Sequence, residues 1–315
     1  MATRINEAHD FLNDLAVNPP RLPFDPAILP QLFRGMADDS LLPMSELAAL
    51  IERSQALAAK VLSVANSACY GLQGNISSLT RAAQVLGVLE LRSLVLFFSA
   101  TGAIPRSNLP REFPCRDLWE HQVRTALLAQ AIAQLVNTAL PKAEDCVADS
   151  RSAPSASPDF PVASVPLDAD GIYTAGLLHD LGKVVLGARR AQVWQEISEI
   201  SRKKQCEFAM VEEDYWGIDH GTVAAILLKT WDLPDLLTEM INWHHHPNLC
   251  SDYKLEVHIL AAANKLAVQG MSDDGKLPPD MLDILPQYAD LLSGNTDKLQ
   301  QALTDEKAKT LAAFA

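Results

Sequence analysis

No run of apolar residues reaches the ~20 that a membrane-spanning helix requires, so the sequence predicts no such span. The opening stretch MATRINEAHDFLNDLA mixes acids among its apolar positions and does not read as a signal peptide. Cysteine is scarce. Cys69, Cys115, Cys146, Cys206 and Cys250 are odd in number and never spaced as CxxC. That excludes a disulfide framework or a zinc ribbon and predicts reduced thiols in a cytoplasmic protein. Basic residues are also in deficit, with 26 Lys and Arg against 39 Asp and Glu and a net charge of −13. No Arg/Lys-rich stripe stands out. An acidic surface of this kind repels phosphate backbones and anionic lipid, so neither nucleic acid nor membrane is an expected partner.

Aromatics make up 6% of the chain, while hydrophobic residues make up 48%, so a sizeable core can be built largely from Ala and Leu. Both residues lose little conformational freedom in a helix, and no segment alternates convincingly as strand. The predicted fold class is all-α. Residues 1–18 read as an amphipathic helix stopped by Pro19-Pro20, and a further helix is expected to start near Pro26. Ser45 and Ser54 are candidate caps for the next two helices, the second carrying Leu57, Val61 and Val64 at helical spacing. Asn66 and Gly71 mark an irregular break, and two helices are expected to meet near Gly87. IPRSNLPREFP at 104–114 reads as a junction, followed by a long helix from about Cys115 to Leu140. Residues 142–170, rich in Ser, Pro, Ala and Asp, have no helical period and read as a mobile insert. Helical patterning resumes at Gly171, with breaks near Gly182, Gly217, Leu233-Pro234, Pro247 and Gly270.

The histidines carry the chemistry. Six of the eight fall in four short segments of the back half: LWEHQ (His121), LLHDLGK (His179, beside Asp180), IDHGTV (His220) and WHHHP (His244, His245, His246). His179-Asp180 ends an apolar helical segment beside glycine, where two adjacent side chains can enter one cavity. Imidazole with carboxylate suits one or two divalent cations such as Mn²⁺, Fe²⁺, Ni²⁺ or Zn²⁺. A cation so held lowers the pKa of bound water for attack on phosphorus, and Lys183 stands where it could meet a phosphate oxygen. The plainer alternative is that each histidine is a hydrogen-bonded core residue with no metal, and that HHHP is a polar helix end.

These segments, together with ALAAKVLSVANSACYG, ISSL and AAQVLGVLELRSLVL in the front half, resemble the HDOD family of bacterial signal-transduction proteins, related to the HD superfamily. The resemblance spans roughly residues 22 to 270, interrupted by the insert. It implies an N-terminal helical subdomain over 1–110 and an HD-like helical domain over 111–290, with a C-terminal helix over 291–315. Carried over residue by residue, it implies metal positions at His121, His179, Asp180, His220, and His244 or His245. Where metal-dependent HD enzymes usually end with an Asp ligand, VHILAAANKLA supplies Asn264, a neutral and weaker donor. No GYP motif follows the paired histidines, and Gln55 stands where many family members have proline. The resemblance therefore implies a regulatory or scaffolding protein whose pocket, of metal- or nucleotide-binding type, is catalytically weak or inactive. Other signalling proteins are its implied partners, and an apolar helical face is compatible with a homodimer. The alternative is a metal-dependent phosphohydrolase acting on cyclic dinucleotides or nucleotides, with Asp180 orienting the water and Lys183 contacting phosphate.

Overall fold

A computed structural model describes residues 2–22, 48–49, 51–52, 54–67, 76–140, 163 and 165–305. Among them there is no strand. Expectations at Pro26, Ser45, Gly71, Cys69, Cys146, all of 142–162 and residue 164 lie outside the described residues.

The front half contributes α1 (Ala2–Val17), α2 (Gln55–Ala65), α3 (Leu79–Leu86) and α4 (Val88–Gly102). Ser54 caps α2, its hydroxyl accepting from the Leu57 N–H at 3.4 Å, and Ser78 caps α3 in the same way. Gly87 joins α3 to α4 at φ +79°. Asn66 ends α2 and bridges to Ile76: its amide donates to the Ile76 carbonyl at 2.8 Å, and its oxygen accepts from the Ile76 N–H at 2.6 Å. The asparagine thus closes a loop on both backbone groups of one residue.

The back half is built on the long helix α5 (Cys115–Thr138), which packs against α6 (Ala169–Leu178) and α12 (Lys254–Gln269). Between them run α7 (Leu181–Arg189), α8 (Ala191–Lys204), α9 (Phe208–Trp216), α10 (His220–Thr230) and α11 (Asp235–Trp243). One buried apolar cluster runs from Ala8 to Leu299 and joins the two halves. Ser93 on α4 meets Thr174 on α6 at 2.7 Å, and Trp119 on α5 stands edge-on to Phe97 on α4.

Three features differ from the sequence-based expectation. α6 begins at Ala169, two residues before Gly171, because Asp168 caps it through the Gly171 N–H at 2.9 Å. The residue just before that cap is tied down: the Asn137 side chain pairs with both backbone groups of Leu167, at 2.8 and 3.0 Å. The chain breaks at His179-Asp180, and Gly182 lies inside the first turn of α7. The C-terminal segment is two short helices, Ala289–Ser293 and Thr296–Thr304, broken where Asn295 turns its amide back to the Leu291 carbonyl; residues 306–315 lie outside the described residues.

Gly182 is required for close approach. A Cβ there would stand 1.9 Å from the His220 carbonyl oxygen, a backbone atom that cannot swing away. Gly176 plays the same part between α6 and α5, where a Cβ would lie 2.5 Å from Ala126 Cα. Gly182→Ala is therefore expected to destabilise the fold by about 3 kcal/mol, read as a lower urea midpoint. A shift equivalent to less than about 0.5 kcal/mol would show that α7 and α10 need not touch.

Candidate metal centre

Five elements deliver their functional side chains to one place. His121 comes from the middle of α5, and His179 is the C-terminal cap of α6. Asp180 is the N-terminal cap of α7, and Lys183 sits one turn further on. His220 is the first residue of α10, while His244 caps α11 and His245 follows it. The adjacent pair at 179–180 enters one cavity because the chain turns from α6 into α7 between apolar neighbours. His179, Asp180, His220 and His244 are buried, and the His121 side chain is 20% exposed.

The donors form two triads. One is His121, His179 and Asp180; the other is His220, His244 and His245. Within each, one donor atom per residue lies within 4.8 Å of the others. His121 Nε2 is 3.3 Å from His179 Nε2 and 3.7 Å from Asp180 Oδ2, and His179 Nε2 is 3.5 Å from Asp180 Oδ1. Asp180 Oδ1 joins the triads: His220 Nε2 lies 2.9 Å from it, without hydrogen-bond alignment, and 3.0 Å from His245 Nε2. Two ligands bound at ~2.1 Å with angles between 90° and 110° stand about 3.0 to 3.4 Å apart. The observed spacings are close to the edges of such a polyhedron.

Hydrogen bonds set which nitrogen each ring offers. His179 donates from Nδ1 to the Gly176 carbonyl at 2.8 Å, and His244 donates from Nδ1 to the Ile241 carbonyl at 2.7 Å. In the neutral rings Nε2 then carries the lone pair. His244 Nε2 is buried with no hydrogen-bond partner, and Asp180 Oδ1 is likewise unpartnered. His220 donates from Nδ1 to Glu212 Oε2 at 2.6 Å, and its backbone N–H donates to the same oxygen at 2.9 Å. A carboxylate behind a histidine, fixing its tautomer and raising its basicity, is an arrangement that supports metal ligation. These orphaned and pre-oriented donors fit a divalent cation.

The electrostatics agree. Burial pushes the pKa of His179 and His245 well below the usual imidazole value, and that of His121 down as well. Burial, helped by the charge on His220, takes His244 down to about 4. Burial alone would raise Asp180, but Lys183, His179 and His220 hold it well below the usual carboxylate range. His220 is the exception. Burial is the largest single influence and opposes its charge, yet the Glu212 charge, together with the contact to Asp180 and the hydrogen bond to Glu212, outweighs it and lifts the ring to about 9. In the metal-free protein the His220 Nε2 proton occupies the direction a cation would take.

A pH dependence follows for chelator-treated protein. Between about 4 and 6.5, the folded-state and ordinary values for His244, the unfolded chain binds protons that the buried neutral ring does not, so stability falls on acidification. Between 6.5 and about 9 the folded state holds the His220 proton more tightly than the unfolded chain, so stability falls as pH rises. Urea midpoints measured near pH 5, 6.5 and 8.5 are expected to peak at the middle value, and a steady rise across all three would contradict the His220 assignment.

His121, His220, His244, His245 and Asn264 line one cleft of about 560 Å³, whose walls include Lys183, Phe208 and Lys265, while His179 and Asp180 are not among its lining residues. Asn264, on α12, sits beside His121, its carbonyl oxygen buried without a well-formed hydrogen bond. Lys183 Nζ donates to Asp180 Oδ2 at 2.8 Å, so in this state the ammonium is held by the carboxylate. Glu212 is the residue that sequence reading missed. Its only signal was the run of three acids in VEEDYWGIDH, which starts eight residues ahead of His220.

Known proteins share this helical build. The chain is 23% identical over 222 residues to an uncharacterised protein of Treponema pallidum (strain Nichols), covering 70% of this chain and 37% of that one. It thus spans little more than a third of that curated relative. A crystal structure from Shewanella amazonensis SB2B, provisionally named a phosphohydrolase, superposes with a TM-score of 0.65 at 20% identity, covering 96% of this chain and 97% of that one. Another, from Marinobacter aquaeolei VT8 and provisionally named a signal transduction protein, gives a TM-score of 0.68 at 19% identity over 98% of this chain and 66% of that one. At these identities the likeness establishes the shared helical fold. The HDOD domain model matches residues 22–148 and 162–247, and on that match the chain belongs to the HDOD domain family.

Proposed function

We propose that this protein is a cytoplasmic signalling regulator that acts through contacts with other proteins, and that its pocket holds one or two divalent transition-metal ions as a structural or sensing element. The observation that carries this reading is the convergence of five imidazoles and one carboxylate, three of the rings fixed through Nδ1 so that Nε2 faces the others. His121, His179, Asp180, His220, His244 and His245 would hold the metal, which would supply Lewis acidity and a lowered pKa for bound water. The chain's own groups do the orienting: Glu212 aligns His220, Gly176 and Ile241 align His179 and His244, and Lys183 neutralises Asp180. Asn264 beside His121 adds a neutral donor where a second carboxylate would offset cationic charge, which favours holding a metal over rapid turnover. Signalling partners, a nucleotide ligand and self-association as a homodimer belong to the same reading.

Elemental analysis of protein purified without chelator, paired with hydrolysis assays on cyclic dinucleotides and nucleotides with Mn²⁺ or Fe²⁺, tests it. Bound metal without turnover is the expected result. Robust turnover that disappears in His179→Ala would replace it with a second reading, a metal-dependent phosphohydrolase. That alternative draws on the cleft of about 560 Å³ opening onto the donors, with Lys183 on its wall.

A further inference from the structure

A second donor cluster lies outside the centre described above. It comprises Glu213 near the end of α9, Asp219 at the N-terminal cap of α10, and His246 just after α11. One donor atom from each lies within 4.8 Å of the other two. His246 Nε2 contacts Glu213 Oε1, and both side chains are roughly 40% exposed, at 41% and 37%, so the cluster is open to solvent ions. Asp219 is different. The residue is 4% exposed, and its Oδ1 accepts from the Thr222 N–H at 2.9 Å and the Thr222 hydroxyl at 3.0 Å. Those bonds fix the carboxylate plane and leave Oδ2 buried without any partner. A buried carboxylate oxygen with no donor is costly, and a cation is the partner that removes the cost.

From this we infer that Glu213, Asp219 and His246 form a separate site for a divalent transition cation of the Zn²⁺ or Mn²⁺ class, with water completing the shell. Two carboxylates and one imidazole are hard-to-borderline donors suited to such ions, and they carry the negative charge to neutralise one. Each ligand is the chain neighbour of a residue facing the inner centre: Glu213 of Glu212, Asp219 of His220, and His246 of His245. An ion here would brace the outer side of the same three segments. The inference does not depend on the inner centre holding metal.

Calorimetric titration with Zn²⁺ and with Mn²⁺ tests it on the intact 315-residue chain, with circular dichroism as the folding check. The site predicts that Glu213→Gln/His246→Gln removes one equivalent at saturation, or weakens it at least tenfold, while any other equivalents keep their affinity. The same equivalent must persist in His179→Ala, which disables only the inner centre. Glu213→Gln alone keeps an oxygen for His246 but removes the charge, and it must weaken the equivalent severalfold; it carries the test if the double variant misfolds. An isotherm unchanged by either substitution, or an equivalent lost in His179→Ala and untouched by Glu213→Gln, would overturn the site and leave a plain hydrogen-bonded pair.

Discussion

In the Glu213→Gln/His246→Gln background, which removes the outer site, Asp180→Ala protein prepared without chelator is expected to carry roughly tenfold less transition metal, or lower still, than the same chain with Asp180 in place. Asp180 bridges the two triads. Its Oδ1 lies 3.5 Å from His179 Nε2 and 2.9 Å from His220 Nε2, and its Oδ2 lies 3.7 Å from His121 Nε2 and 2.8 Å from Lys183 Nζ. It is also the only carboxylate within the two inner triads. Without it an incoming cation meets imidazoles and an ammonium, with no negative charge to offset its own. Thermal unfolding separates this effect from general damage. In that background, added Mn²⁺ should raise the melting temperature of the chain with Asp180 and leave that of Asp180→Ala unchanged, because ligand binding stabilises only a folded state that binds. Full metal content in Asp180→Ala would remove the carboxylate from the centre, and with it the reading of the two triads as one site.

Glu212→Ala is expected to cost about 3 to 5 kcal/mol of folding stability at neutral pH, the range for removing one partner of a buried ion pair. The carboxylate receives two hydrogen bonds from His220 through one oxygen, and neither residue has appreciable exposure. Deleting it strands a backbone N–H at the start of α10 and removes the charge that keeps the ring protonated. Glu212→Gln should cost less, since its amide oxygen can still accept. Its test is the alkaline limb of the stability profile: once Glu212 is neutral, the decline between pH 6.5 and about 9 should flatten. Denaturant midpoints for the two variants within about 0.5 kcal/mol of the unmodified protein would mean the pair contributes little.

How far these features could be read in advance depends on the range of the interactions behind them. The helices and their ends were visible where local chemistry decides them, as with Ser54, Gly87 and Pro234. The donors were visible because histidine is rare and its spacing into helix ends follows a known family's order. Glu212 was not, since a glutamate in a helical segment is ordinary until tertiary packing buries it behind a histidine. Gly182 read as a break because glycine usually marks one; that it admits the His220 carbonyl is a contact between residues 38 apart, set by how α7 crosses α10. Asn264 was legible as a departure, but its place beside His121 required the crossing of α5 and α12.

The position of α1 has a consequence for how the molecule assembles. Phe11 stacks on Trp216 at 5.3 Å, Arg189 donates to Asp14 at 3.1 Å, and the Trp231 indole donates to the Pro20 carbonyl at 3.3 Å. That last bond joins residues 211 apart in the chain. α1 and the residues just after it therefore rest on partners spread from 189 to 231, and their native surface is complete only when the last of these is in place. Loop closure over that span is entropically costly, and contacts of such long range slow folding. The docking of α1 on α9 and α10 is thus expected to be slow relative to the packing of neighbouring helices.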